Sequence, residues 1–386
     1  MTWKKTWAKI ALIITAVVVC LPVIIVLTVL ELVGMLVDRH GLSLYELSDR
    51  RYATLDRAGN LLPWPAGTEA ISNFDHGFAT YVESTMDLHR PSEMTAFADR
   101  QSGGFIDTAG KKYPARMWWF TKNSHLCDGL ANVVDPYSGK HCYIGVDGKQ
   151  ALTQMFEAAS PFSDGLAAVS VTPEDPNTHV RTWGYIDRSG RFVIPPRYKY
   201  AGRFMADRAL VSPLKGDSQV VIDKTGAFIF KNSFDTLEDF SSDGVAIFKN
   251  HQQKSEAWDW EQCGLVDKNG RVITRGLLYT SFANGVGQIV SSDGAKFANA
   301  QGKVVLATKF PQQVSQPYVF GDGLCAVGLE FLRCTGGKYA PSAPRLGFID
   351  HNGIIKITFS GDRIVTAAFP FVNGYTAVKT YIARPD

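Results

Sequence analysis

A chain of 386 residues with 45% apolar and 20% charged side chains has a globular composition, which excludes a disordered protein. Forty Lys and Arg against 37 Asp and Glu leave a formal charge of only +3. Aromatics at 12% and 35 glycines suit many short strands joined by tight turns.

The first element is a membrane segment. No residue from Ile10 to Leu30 is charged, and at about 1.5 Å per residue such a run spans the roughly 30 Å core of a bilayer. Pro22 is tolerated in a membrane helix, where neighbouring groups satisfy the freed carbonyl. A cleaved signal peptide is the rival, but its apolar region runs only about 7–15 residues and ends in small residues. Here the run is longer, no A-x-A-like site follows, and "AVVVC" places Val19 where a lipoprotein signal needs a small residue. The sequence therefore predicts a cytoplasmic N-terminus over residues 1–9, a transmembrane signal-anchor helix over 10–37, and a β domain over 41–386. Lys4, Lys5 and Lys9 precede the helix while Glu31 and Asp38 follow it, which orients the N-terminus inward. The expected location is a bacterial inner membrane, single-pass, with the C-terminal domain periplasmic. Beyond residue 37 the chain carries 37 basic and 36 acidic side chains, a balance that leaves no footprint for nucleic acid.

The rest of the chain repeats. "YATLDRAGNLL" opens a series continued by "GFIDTAGKKY", "CYIGVDGKQ", "WGYIDRSGRFVI", "VVIDKTGAFIF", "GLVDKNGRVI", "KFANAQGKVVL" and "GFIDHNGIIKI". The eight units start near 52, 104, 142, 183, 219, 263, 296 and 346. Each has a turn acid or its substitute followed by a glycine: Asp107 and Gly110, Asp187 and Gly190, Asp223 and Gly226, Asp267 and Gly270, Asp350 and Gly353. Asp at turn position i caps backbone N–H groups and Gly at i+3 closes the turn. A second block follows each first one, as in "CDGLANVV", "FSDGLAAVSV" and "FGDGLCAVGL". Its Asp-Gly or Asn-Gly supplies residues able to take positive φ. Units of this size cannot bury their own apolar face, so they must stack.

The doublet of blocks resembles the WG repeat family, named for the pair seen literally at Trp183-Gly184. The resemblance covers residues 52–380. It implies an all-β repeat array and brings no catalytic residues to transfer. The expected architecture is an all-β protein of about eight hairpin-type repeats in an open superhelical, solenoid-like array. A propeller-like closed array is the alternative.

No motif points to a catalytic, cofactor-binding or metal site. The periodic acids, one per turn, are too sparse for calcium, which takes six to eight oxygens. The Gly-Lys pairs lack the earlier glycine and the following Ser or Thr of a P-loop. The eight histidines show no paired spacing, and there is no G-x-S-x-G elbow. The cysteines give the sharpest local expectation: Cys127 with Cys142 and Cys325 with Cys334 flank junctions between units, and an oxidising compartment favours two disulfides. Aromatic clusters at 117–120 and 257–263, and insertions near 83–103, 173–181, 251–260 and 335–345, are candidate recognition surfaces. The function expected is a non-enzymatic, membrane-anchored, extracytoplasmic binding or scaffold protein. Its partner would be a protein or cell-envelope polymer, with no cofactor. An envelope glycan-acting hydrolase is the alternative.

Overall fold

The computed structural model describes residues 44–83, 101–172, 181–216, 218–250, 262–291, 294–308, 319–335, 343–359 and 362–385. The expected anchor over 10–37 lies outside them. Among the described residues no helix is long and apolar enough to cross a membrane. They are all-β, in twenty-nine strands, without an α-helix. The strands fall into sheets of eight, seven, four, three and seven strands, which do not form a closed barrel or a propeller of four-stranded blades.

The chain divides into two units. The smaller comprises Met1–Leu47, Leu332–Ala343 and Ala383–Asp386; in its described part Leu44, Tyr45 and Glu46 pair in parallel with Arg333, Cys334 and Thr335. The larger, Ser48–Phe331 with Pro344–Ile382, carries the repeats.

Local chemistry sets each first block. In the copy at 183, Thr182–Asp187 pairs antiparallel with Phe192–Ala201, and Trp183 lies opposite Tyr198. The turn between them is a type I turn closed by a G1 bulge: the Gly190 N–H donates to the Asp187 carbonyl at 2.9 Å, and the Asp187 N–H donates to the Arg191 carbonyl at 2.9 Å. Asp187 Oδ1 accepts the N–H groups of Ser189 at 2.8 Å and Arg191 at 3.1 Å. The same two bonds, to residues two and four further on, recur at Asp56, Asp107, Asp223, Asp267, Asn299 and Asp350. Gly184 has a different reason. A Cβ there would stand 2.6 Å from the Ile194 carbonyl oxygen, because the facing strand bulges inward at Pro195 and Pro196.

The second block supplies one buried core side chain per copy: Phe74, Leu126, Phe162, Phe204, Phe240, Phe282, Phe320 and Phe371. Several meet an aromatic ring of their own first block, with centroids 4.8 Å apart for Tyr143–Phe162, 4.7 Å for Tyr185–Phe204 and 5.3 Å for both Phe297–Phe320 and Phe348–Phe371. Its turn takes positive φ at two successive residues in every copy but the fifth, where Gly244 alone does, as at Asp164 at 58° and Gly165 at 81°.

Two kinds of contact recur at most junctions between neighbouring copies. First, the glycine of a first-block turn seats on the strand of the preceding copy. Gly110 lies over Leu62, Gly226 over Ile194, Gly270 over Phe230, Gly302 over Thr274 and Gly353 over Leu306. Gly59 of the first copy lies over Ile357 of the eighth. Second, the acid of a second-block turn accepts the N–H of the equivalent turn in the next copy. Asp75 binds Gly129 at 3.3 Å, Asp128 binds Gly165 at 3.2 Å, Asp164 binds Asp207 at 2.7 Å, Asp243 binds Gly285 at 3.3 Å and Asp322 binds Gly374 at 2.7 Å. The first and eighth copies also share a core, in which Trp64, Phe74, Ala79 and Tyr81 pack with Ala377. The Asn73 side chain there donates to the Pro370 carbonyl and accepts the Ala377 N–H.

The two disulfides expected from the sequence are not formed: Cys127, Cys142 and Cys325 are free thiols. Cys127 pairs across its hairpin with Leu130 and Cys142 pairs with Val133. Residues three apart on one strand face opposite sides of the sheet, so the thiols belong to different cores. Cys142 packs with Phe105 and Trp118, and Cys127 packs against Tyr143 and Phe162. Cys325 is buried with Phe297 and Phe320, and the Cys334 side chain lies outside the described ones. Cys263 is buried and donates to the Asn250 carbonyl at 3.9 Å.

Three outcomes are expected. Gly270→Ala places a methyl 2.6 Å from the Phe230 ring at φ +84°, whereas Gly285, at φ +81°, has open space. In chemical denaturation Gly270→Ala should cost roughly 2 kcal/mol or more and Gly285→Ala about 1 kcal/mol; equal losses would show that the seat contributes nothing. The Asp187 carboxyl is held at about 2, below its ordinary 3.8, above all by the Ser189 hydroxyl. Burial opposes this more weakly, and the Arg191 and Ser189 N–H groups and the Arg191 charge assist. Its carboxylate stabilises the fold in full above 3.8, and that contribution disappears as the pH falls through about 2. Asp187→Asn should therefore flatten the dependence of denaturation midpoint on pH between these values, and an unchanged slope would refute the turn's role. Finally, burial pushes the Cys127 thiol to about 11 and the Cys142 thiol to about 12. Thiol titration without reductant should label both slowly in the native protein and fully in denaturant; a need for reductant would restore the bridge.

Candidate functional site

A position that varies from copy to copy stands immediately before the second-block core residue. It is Asn73, His125, Pro161, Arg203, Asp239, Ser281, Val319 and Pro370 in chain order. Three adjacent copies bring these segments around a recess of about 380 Å³, lined by Asn123, His125, Ala159, Ser160, Pro161 and Arg203.

The repeat frame holds each wall. The Tyr143 hydroxyl donates to the Ser160 carbonyl at 2.6 Å, and the Tyr185 hydroxyl donates to the Gly202 carbonyl at 2.8 Å. Both tyrosines are buried first-block residues that meet, at a tilted or edge-on angle, the core phenylalanine that follows each segment. The third wall is a tight turn: the Ser124 hydroxyl accepts the Thr121 N–H at 2.9 Å, and Thr121 Oγ1 accepts the Asn123 N–H at 3.2 Å. His125 Nε2 donates to the Lys122 carbonyl at 3.0 Å, which leaves Nδ1 as an acceptor in the neutral ring. Burial lowers the His125 pKa, the Arg203 charge adds to this, and the Lys122 carbonyl opposes it. The imidazole is accordingly neutral at pH 7.

Arg203 supplies the positive charge. Its Nε lies 4.0 Å from Asp239 Oδ2, with the two side chains 47% and 33% exposed. A contact that long and that open to solvent is worth little, so the guanidinium keeps donors for the recess. The Asp239 carboxyl has its pKa raised, first by burial beneath the Gly202 backbone and then by neighbouring Glu238; Arg203 and its backbone N–H pull the other way. Cys127, two residues after His125, is held as a thiol at neutral pH by burial. Among the described residues no three His, Cys, Asp or Glu side chains gather as a metal ion requires.

The turn residues Asp107, Gly110, Asp187, Gly190, Asp223, Gly226, Asp267, Gly270, Asp350 and Gly353 all sit at first-block turns, and none lines the recess. Of the aromatic cluster at 117–120, Met117 is 75% exposed while Trp118 and Phe120 are buried. The cluster at 257–263 and the four insertions fall largely outside the described residues. Sequence reasoning missed Asn123, His125, Ser160, Arg203 and Asp239. The available signal was the irregularity of one column between otherwise regular blocks.

Among solved structures, the chain is similar to AztD of Citrobacter koseri, at 13% identity over 86% of this chain and 98% of that one, with a TM-score of 0.37. It is also similar to a member of the duf4221 family from Bacteroides vulgatus, at 10% identity over 89% of this chain and 100% of that one, with a TM-score of 0.28. No curated protein matches its sequence. A family model does: residues 183–212 match the WG containing repeat, the copy that carries the literal Trp-Gly pair.

Proposed function

We propose that the chain is a non-enzymatic binding or scaffold module, anchored in a bacterial inner membrane by residues 10–37 and presenting eight WG-type units as one continuous array outside the cytoplasm. The anchor rests on the uncharged run from Ile10 to Leu30 and the lysines before it. The continuity rests on links that pass from copy to copy. The binding role rests on one observation: a repetitive frame holds non-repeating polar side chains around a recess. Loops positioned by a rigid scaffold are where binding residues concentrate, and pockets of a few hundred Å³ with few polar groups hold ligands. The partner is a protein or an envelope polymer.

The test is photo-crosslinking in intact cells. A crosslinking residue at Asn123, on the rim of the recess, should capture a periplasmic partner that the same residue at exposed Phe228 does not. A reporter fused to the C-terminus, active only when exported, should be active. Capture of cytoplasmic proteins alone would overturn the topology. Cleavage of a glycan by the purified protein would replace binding by hydrolysis.

A further inference from the structure

The recess is asymmetric in chemistry, and this narrows its ligand. One side offers the planar guanidinium of Arg203. Asn123 and His125, whose Nε2 donates to the Lys122 carbonyl, line it from the second copy, and Ser160 lines it from the third. Ala159 and Pro161 supply the apolar wall.

We propose that this recess binds a carboxylate carrying an adjacent hydrogen-bond donor, either a small free hydroxy acid or the C-terminal residue of a peptide. The inference rests on the binding-module reading above: a peptide C-terminus would belong to its protein partner, and a free hydroxy acid would be a small ligand in addition to that partner.

A guanidinium holds a carboxylate by two parallel N–H···O bonds, a match of planar forks. A phosphate dianion fits less well. Only one cationic side chain lines the recess, and the Asp239 carboxyl stands 4.0 Å from its Nε. A second negative charge would meet Asp239 without a second cation to offset it. The neutral His125 ring accepts rather than donates, so it selects a ligand with an O–H or N–H beside the carboxylate. An α-hydroxy acid and a C-terminal peptide unit both have that arrangement. A volume of about 380 Å³ admits either one, with room for a small side chain against Pro161. Both tyrosine hydroxyls that pin the walls donate to backbone carbonyls, so the site exists before the ligand arrives.

The experiment is calorimetric titration of the full-length protein in mild detergent with acetyl-alanyl-alanine, its C-terminal amide, lactate and inorganic phosphate. The peptide acid or lactate should bind, and whichever is tighter identifies the source. The amide should bind roughly tenfold more weakly or worse, because it loses the charge-assisted bonds. Arg203→Ala should cause a similar loss, Arg203→Lys a smaller one, and Asp239→Asn a gain, as it removes the competing carboxylate. Unchanged thermal melting of these variants shows that the fold is intact. Equal binding of acid and amide, tighter binding of phosphate, or an unaffected Arg203→Ala would overturn the inference. If none of the acids binds while crosslinks at Asn123 persist, the ligand class falls and the binding-module reading stands. If crosslinking also fails, both fall.

Discussion

Everything in the larger unit depends on one small contact, the seating of a turn glycine on the strand of the copy before it. A single copy exposes an apolar strand that it cannot cover. The turn of the next copy covers it, and the cover must be thin: at Gly270 the Phe230 ring occupies the space where a Cβ would project. The type I turn with its G1 bulge needs glycine there for backbone reasons as well, at φ +84°. One residue therefore satisfies the turn and the stacking at once. The same seat recurs from Gly59 over Ile357 through Gly353 over Leu306, while Gly190 of the fourth copy meets the Gln154 side chain instead, so that turn glycines help fix the placement of neighbouring copies.

The second link refines the first. An aspartate in one second-block turn accepts the N–H of the next, so a positive-φ turn that would leave a donor exposed is capped by a charged acceptor. Each such bond is modest alone. Its value lies in register, since it aligns equivalent turns and with them the residue just before each core phenylalanine. That column is where the side chains differ, some of them serving the frame, as Asn73 does in joining the first and eighth copies. Arg203, His125 and Asp239 stand on a frame built entirely by their neighbours in sequence.

The division explains what the sequence disclosed. Turn acids and glycines were legible because each answers a local demand: Asp187 caps N–H groups within four residues, and Gly190 takes a conformation other residues resist. The strands were legible from their alternation. The recess was not, because Asn123, Ser160 and Arg203 meet only after three copies stack at a fixed angle, and no short motif encodes that angle. The cysteines misled for a related reason. Their spacing placed them on one hairpin but said nothing about faces, and the partners Leu130 and Val133 decide that Cys127 and Cys142 point apart.

The acid ladder lacks its acid at Asn284 of the sixth copy, which donates to the Phe320 carbonyl instead, and again near the recess. Between the fourth and fifth copies Ala206 holds the acid's place and Asp207 the glycine's, at φ +50° and +64°. Ala206 meets Gly244 by contact alone, with its Cβ 3.7 Å from where a Gly244 Cβ would project. Side chains substitute for the missing bond. Lys224 bridges Asp164 at 3.6 Å and Asp207 at 2.8 Å, and Arg208 donates to the Lys268 carbonyl at 2.7 Å. Asp207 and Ala206 accept a backbone conformation that glycine would take without strain. This is also the junction that carries Arg203 on one side and Asp239 on the other. Natural sequences break their own local rules where a function competes with regularity. The fourth copy carries the literal Trp-Gly pair, departs from the other copies in its second-block turn, and supplies the charge that the recess turns on.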